Sequence, residues 1–192
     1  MLSLLVACGG SSRPAASPTT APPAANPVSG LVDIGPDFAP VPFAPGTLAA
    51  TFRAGATITY RIQVPGNEPQ LLTTEFLQAD DEGVTMRDTT KTADGTLAGE
   101  PTTATATWSE LEGHAHFPRT ATTISDGVID VPAGHFSAYQ YRITSMTDGA
   151  TAVTTLWFAK ELPGPPVKMV KQVDRKTTFE MVLMSTHRPA AE

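Results

Sequence analysis

The sequence is poor in cysteine, in charged residues and in long apolar runs, and each shortage excludes a class of protein. One cysteine among 192 residues allows neither an intrachain disulfide nor a cysteine-ligated metal site. Lys and Arg total 13 against 19 Asp and Glu, so the basic surface that nucleic-acid binding requires is missing. No apolar run approaches the roughly 18–20 residues of a membrane-spanning helix. We therefore expect neither nucleic-acid binding nor a transmembrane helix.

The N-terminus resembles a bacterial lipoprotein signal. Residues 5–8, Leu-Val-Ala-Cys, are similar to a lipobox, which implies cleavage before Cys8 and diacylglyceryl attachment to its sulfur. Gly9 follows where an Asp would favour the inner membrane, so the resemblance implies an outer-membrane anchor that faces the periplasm. The apolar run is shorter than the ~7–15 residues of an ordinary signal, which indicates a start codon further upstream. The alternative is an apolar N-terminus with a free cysteine.

Composition divides the chain into four parts. Residues 1–7 are the remnant of the signal, residues 8–45 are a lipidated Cys followed by a linker rich in Pro, Ala, Ser and Thr, residues 46–188 are a β domain, and residues 189–192 are a tail. The linker buries too little apolar surface to offset its ordering entropy, which predicts a disordered tether. Residues 31–43 nevertheless contain two Phe and an Ile. They are either part of the disordered segment or an extended arm that docks on the domain.

Turn signals and alternating apolar residues predict an all-β domain of about ten antiparallel strands. Residues 57–64 alternate polar and apolar side chains, as a half-buried strand does. Residues 131–158 contain two runs rich in Tyr, Ile, Thr, Val and Trp on either side of Asp148-Gly149, which predicts a long hairpin. Residues 47–53 have the composition of a single helical turn.

Three segments resemble motifs of a diffuse group of bacterial cell-envelope proteins, the DUF3108-like and TapB-like proteins. Residues 52–60, FRAGATITY, resemble the opening motif pGxxWxY, although Ile58 stands where the group has Trp. Residues 131–136, VPAGHF, match VPAGtF, and residues 156–168 resemble WYspgvGlvK. The resemblance implies a strongly curved antiparallel sheet, a half-barrel or open barrel akin to LolA and LolB. It brings no catalytic residues.

The late strands carry apolar side chains on both faces, and such strands must be covered on both faces. Closure of the sheet on itself, the segment 31–43 or an apolar ligand would each provide the second cover. The residues that we predict to contact a hydrophobic ligand are Trp157, Phe158, Met169, Met181 and Met184. Methionine suits an irregular lipid-lined cavity because it is soft and adaptable, but an ordinary filled core uses it equally well.

His114 and His116 are the only pair with a metal-ligand spacing. On a predicted strand over residues 114–117, both imidazoles would share one face, which Glu112 would continue, and this set suits zinc or copper. No third ligand has a convincing spacing, so the alternative is two solvated histidines. The sequence also lacks the motifs of nucleophilic or phosphate chemistry, which predicts a protein that is not an enzyme and has no cofactor.

Together these features predict a monomeric, lipid-anchored protein of the bacterial cell envelope whose β domain binds a hydrophobic ligand. One alternative is a structural lipoprotein that docks a partner protein through a sheet edge or face. The other is a metal-binding domain that uses the His-x-His pair.

Overall fold

The computed structural model describes residues 28–147 and 149–189. The predicted lipidation site Cys8, the predicted tether up to residue 27 and the tail residues 190–192 lie outside the described residues. The elements in chain order are α1 (Pro45–Thr51), β1 (Thr57–Gln63), β2 (Gln70–Ala79), β3 (Gly83–Thr92), β4 (Thr102–Thr107), α2 (Trp108–Gly113), a 3-10 turn (Arg119–Ala121), β5 (Thr122–Val131), β6 (Gly134–Thr147), β7 (Ala150–Ala159), β8 (Lys168–Val173) and β9 (Lys176–His187).

The described strands form one antiparallel sheet, which confirms the predicted all-β class. The nine strands follow the spatial order β4-β3-β2-β1-β9-β8-β7-β6-β5. β4 and β5 are the two edges and do not pair with each other, so the sheet is open. All neighbouring strands except β1 and β9 are consecutive in the chain. Turns between consecutive strands therefore connect most of the sheet.

The connection between the two edges requires the sheet to curve. In a flat sheet, eight strand spacings of about 4.8 Å would separate β4 from β5 by roughly 38 Å. Residues 108–121 must cover that distance, although they contain the helix α2. The backbone N–H of Ala115 donates to the Glu112 carbonyl and that of His116 to the Gly113 carbonyl, so the chain after α2 turns as well. Coiled backbone advances far less than the ~3.3–3.6 Å per residue of extended chain. The edges therefore approach each other, and residues 108–121 lie across the concave face.

The long hairpin is observed as predicted. β6 pairs with β7 from Ala138↔Ala159 to Thr147↔Ala150. The segment VPAG is the tight turn into β6, where the pairing Val131↔Gly134 leaves two residues at the tip. Gly134 has φ of +147°, a conformation that side chains disfavour, which explains the glycine at this position.

The helix α2 follows the strand β4 directly. Thr107 Oγ1 accepts a hydrogen bond from the Glu110 backbone N–H, and the Glu110 carboxylate accepts one from the Thr107 backbone N–H. This reciprocal capping box satisfies N–H groups that the first turn of a helix leaves free. The indole N–H of Trp108 donates to the Asp80 carbonyl at 2.8 Å, which ties α2 to the turn between β2 and β3.

Residues 28–44, called the arm below, dock on the sheet, so the second of the two alternatives for this segment is the observed one. Val32 and Val41 form an antiparallel bridge with two backbone hydrogen bonds of 3.0 and 2.8 Å. The hydroxyl of Tyr141 on β6 donates to the Pro40 carbonyl at 2.7 Å. The packed chain therefore begins well before residue 46, where the sequence places the start of the β domain. The predicted helical turn that follows the arm is present as α1.

The two faces of the sheet are covered in different ways. On the concave face, Phe43 of the arm meets Phe158 edge-on, with ring centroids 6.5 Å apart, and α1 and α2 pack beside it. On the opposite face, the register places Lys168 between Trp157 and Val182. The Lys168 ammonium lies 5.9 Å from the Trp157 ring centroid, so its aliphatic stem covers apolar surface while its charge stays in water. A long charged side chain thus covers part of the apolar surface on this face.

Candidate functional site

A cavity of about 410 Å³ lies between the concave face of the sheet and its cover. The sheet contributes side chains that point inward from β1, β2, β3, β7, β8 and β9. The arm, α1, α2 and the loop before β8 close the other side. The lining residues are Pro42, Phe43, Leu48, Phe52, Ile58, Tyr60, Thr74, Phe76, Met86, Asp88, Leu111, Glu112, His114, Ala115, Leu156, Phe158, Gly164, Pro165, Pro166, Met169 and Met181. The lining is mostly apolar, with a few polar groups among them.

The register explains how residues distant in sequence reach one cavity. Met169 pairs with Leu156 on one neighbour and with Met181 on the other, so β7, β8 and β9 present three apolar side chains side by side. Thr74 pairs with Asp88 across β2 and β3, which places both on the same face as the cavity. Since paired residues point to the same side of a sheet, these contacts follow from the pairing alone.

The structure brings three of the five predicted ligand-contacting residues together. Phe158, Met169 and Met181 line the cavity. Trp157 lies on the opposite face, because side chains alternate along β7. Met184 is the extra residue of a β-bulge, since β1 pairs Thr59 with Ser185 and Tyr60 with Leu183. Neither Trp157 nor Met184 lines the cavity.

The prediction of a strand that carries His114 and His116 is wrong. Both residues follow α2, and the buried Ala115 separates two imidazoles that do not share a strand face. Glu112 contacts His116 from the previous helical turn, with Oε2 2.8 Å from Nε2. Within residues 28–147 and 149–189, no three His, Cys, Asp or Glu side chains are close enough to hold a metal ion.

Sequence reasoning missed the polar groups of the cavity. Thr74 donates to Asp88 Oδ1 at 2.5 Å, and Glu112 is only 9% exposed. Tyr60 is 5% exposed, and burial raises the pKa of its hydroxyl well above the ordinary value, so the group remains a hydrogen-bond donor. The alternation of residues 57–64 indicates that Tyr60 points inward, but no sequence signal places Asp88 or Glu112 in the same cavity.

The fold and the cavity define an open, strongly curved all-β domain with a partly open, mostly apolar cavity under a docked N-terminal arm. No helix in the part of the chain that the structure describes is long and apolar enough to cross a membrane.

A scan of the sequence against protein-family models finds no match, and a search of the curated proteins finds none either. A search of the solved structures finds a crystal structure of a protein from Parabacteroides distasonis that is provisionally classed as a lipoprotein. It is 10% identical, the alignment covers 70% of this chain and 95% of that chain, and the TM-score is 0.46. A similarity this weak identifies neither the family nor the function, so the resemblance to DUF3108-like and TapB-like proteins stays a prediction.

Proposed function

We propose that this protein is a lipid-anchored lipoprotein of the bacterial cell envelope whose β domain binds a hydrophobic ligand in the cavity under the arm. The observation that carries the proposal is the cavity itself. Its volume of about 410 Å³ falls in the range of roughly 300–1,000 Å³ typical of small-molecule sites. Its lining is mostly apolar with a few polar groups, which is the usual composition of such a site.

A dry cavity of this volume would be unfavourable. Native interiors contain few voids larger than a water molecule. At about 24 cal/mol per Å³, a dry void of this volume would cost roughly 10 kcal/mol. That is comparable with the ~5–15 kcal/mol by which whole domains are stable. The cavity is therefore expected to be filled, by water in the free protein and by an apolar ligand in the bound one.

Two experiments test this proposal. The first is lipid extraction and native mass spectrometry of protein purified from its own host. The second is titration with the neutral fluorescent probe N-phenyl-1-naphthylamine. Met181→Trp fills part of the cavity and should weaken probe binding about tenfold, equivalent to ~1.4 kcal/mol. Met184→Trp is the matched control, because Met184 lies on the same strand, is also half-buried and does not line the cavity. Equal affinities of the two variants would place the probe elsewhere.

The anchor is proposed from the sequence. A diacylated Cys8 would hold the domain stably, because each buried methylene contributes about 0.8 kcal/mol and two or more chains act together. The residues between Cys8 and the arm, as a flexible coil, reach on the order of 25 Å. Gly9 favours retention in the outer membrane, with the domain in the periplasm.

Cys8→Ala should move the protein from the membrane fraction to the soluble fraction when it is expressed in its host from its own locus. The reason is that the substitution removes the sulfur to which the lipid attaches. Detergent partitioning of labelled cells measures the shift, and Ser11→Ala serves as the control for a change beside the lipobox. A Cys8→Ala protein that stays in the membrane fraction contradicts the anchor.

A second candidate function is docking of a partner protein, and the edge strand β4 favours it. β4 has the sequence TTATAT, with neither a charge nor a proline, and five of its six residues are exposed. Natural edges are usually protected by such residues, and an unprotected edge is a template for an added strand. Purified protein that carries no lipid and binds no apolar probe would favour this alternative.

A further inference from the structure

The lining of the cavity contains acidic residues but no Lys or Arg. The acidic residues are Asp88 from β3 and Glu112 from α2. His114 is the one basic residue of the lining, and it is exposed. A ligand that enters this cavity therefore meets two carboxylates in a mostly apolar environment.

In each carboxylate, one oxygen has a hydrogen-bond partner that holds the group in place. Asp88 Oδ1 accepts a hydrogen bond from the Thr74 hydroxyl. Glu112 Oε2 contacts His116 Nε2, and His116 does not line the cavity. The second oxygen of each carboxylate has no hydrogen-bond partner among the described residues, so it remains available as an acceptor. Fixed, partly desolvated carboxylates act more strongly on a neighbouring charge than carboxylates in water do.

Tyr60 supplies an independent indication of a ligand. It is 95% buried and lines the cavity, yet its hydroxyl has no hydrogen-bond partner in residues 28–147 and 149–189. The described residues include no fully buried side-chain nitrogen or oxygen that lacks a partner. The Tyr60 hydroxyl therefore still meets open space, and of the two open spaces that Tyr60 lines, the cavity of about 410 Å³ is far larger than the other, of about 10 Å³. Burial keeps the pKa of the Tyr60 hydroxyl high, so the hydroxyl stays protonated and can donate a hydrogen bond to an uncharged acceptor.

We propose that the cavity selects amphiphiles whose polar group is uncharged or cationic, and that Asp88 and Glu112 exclude anionic amphiphiles such as fatty acids. This inference rests on the proposed function, because it specifies which apolar ligand enters. A negative headgroup would meet a carboxylate at Asp88 or at Glu112, and the lining contains no Lys or Arg to compensate it, which is a repulsive element of the kind that creates specificity. A hydroxyl, ester or amide instead accepts from Tyr60 and donates to the free carboxylate oxygens where it has protons.

Displacement of N-phenyl-1-naphthylamine from the full chain by decanol, decyltrimethylammonium and decanesulfonate tests the inference, because these probes share one chain and differ in headgroup. Decyltrimethylammonium should bind at least as tightly as decanol, and decanesulfonate about tenfold or more weakly. The isosteric double variant Asp88→Asn/Glu112→Gln should bring decanesulfonate to within about twofold of decanol. Asp130→Asn/Glu161→Gln, at two exposed carboxylates that do not line the cavity, removes the same number of negative charges and should leave the selectivity unchanged.

Tyr60→Phe provides a measurement that does not depend on the double variant. It should weaken decanol by roughly two- to tenfold and leave decyltrimethylammonium unchanged, because a trimethylammonium group cannot accept a hydrogen bond. Equal shifts for both probes would assign Tyr60 a purely structural role. Decanesulfonate binding as tightly as decanol to the unaltered protein overturns the selectivity alone. A complete lack of binding of every probe, the fluorescent one included, overturns the proposed function and the selectivity with it.

Discussion

Replacing Tyr141 with Ala is expected to lower the free energy of unfolding by about 3–5 kcal/mol, which for a domain of this size corresponds to roughly 10 °C in Tm. Tyr141 is completely buried. Its ring meets Phe158 edge-on at a centroid distance of 5.2 Å, and the Phe117 ring lies 6.0 Å away. The substitution leaves a void among these rings and also removes the donor to the Pro40 carbonyl. The lost ring contacts and the lost hydrogen bond both weaken the packing between the sheet and the arm.

Two control variants separate the causes of the Tyr141→Ala effect. Tyr141→Phe keeps the ring and removes only the hydroxyl, so it should cost about 1–2 kcal/mol. Gln140→Ala changes the neighbouring residue, which points to the other face of β6, and should cost less than about 1 kcal/mol. Thermal unfolding followed by circular dichroism measures all three. Equal effects of Gln140→Ala and Tyr141→Ala would show that the strand register is shifted by one, because such a shift exchanges the two faces.

The sequence was informative wherever a structural choice is local. The break before Gly149, flanked by two β-branched and aromatic runs, was sufficient to predict the hairpin of β6 and β7. The helix α2 was missed although its capping box, Thr107 with Glu110, is visible in the sequence. A helix of six residues has little propensity of its own, and the Thr-rich run before it favours a strand. The predicted His-x-His strand was wrong because it required extended backbone after residue 113, where the chain turns instead.

The cavity could be predicted only in part, because it depends on which strands are neighbours. Alternation along β7, β8 and β9 indicates that Phe158, Met169 and Met181 can share a face, but it does not say that the same face receives Asp88. That residue reaches the cavity through the pairing Thr74↔Asp88. Glu112 reaches it because residues 108–121 cross from one edge of the sheet to the other. Contacts between elements far apart in sequence are set by the topology and leave no local signal.

Val41→Asp is expected to release the arm, because it places an unpaired carboxylate at a position with no solvent exposure. Removing one partner of a buried pair typically costs 3–5 kcal/mol, about the cost expected for any uncompensated buried charge. The chain can avoid this cost by letting residues 28–44 leave the sheet, which opens the cavity that Pro42 and Phe43 help to close. The variant should bind more N-phenyl-1-naphthylamine and unfold at lower temperature.

The matched control for this variant is Val32→Asp, since Val32 pairs with Val41 but is 37% exposed. A carboxylate there remains hydrated, so the cost should stay within about 1 kcal/mol. A double-mutant cycle then tests release itself. Tyr141→Phe costs stability only while the Pro40 carbonyl is docked, so its cost of about 1–2 kcal/mol should fall towards zero in the Val41→Asp background. An unchanged cost, or equal dye binding by Val32→Asp and Val41→Asp, would mean that the arm stays on the sheet and that Val41→Asp destabilises the domain without uncovering the cavity.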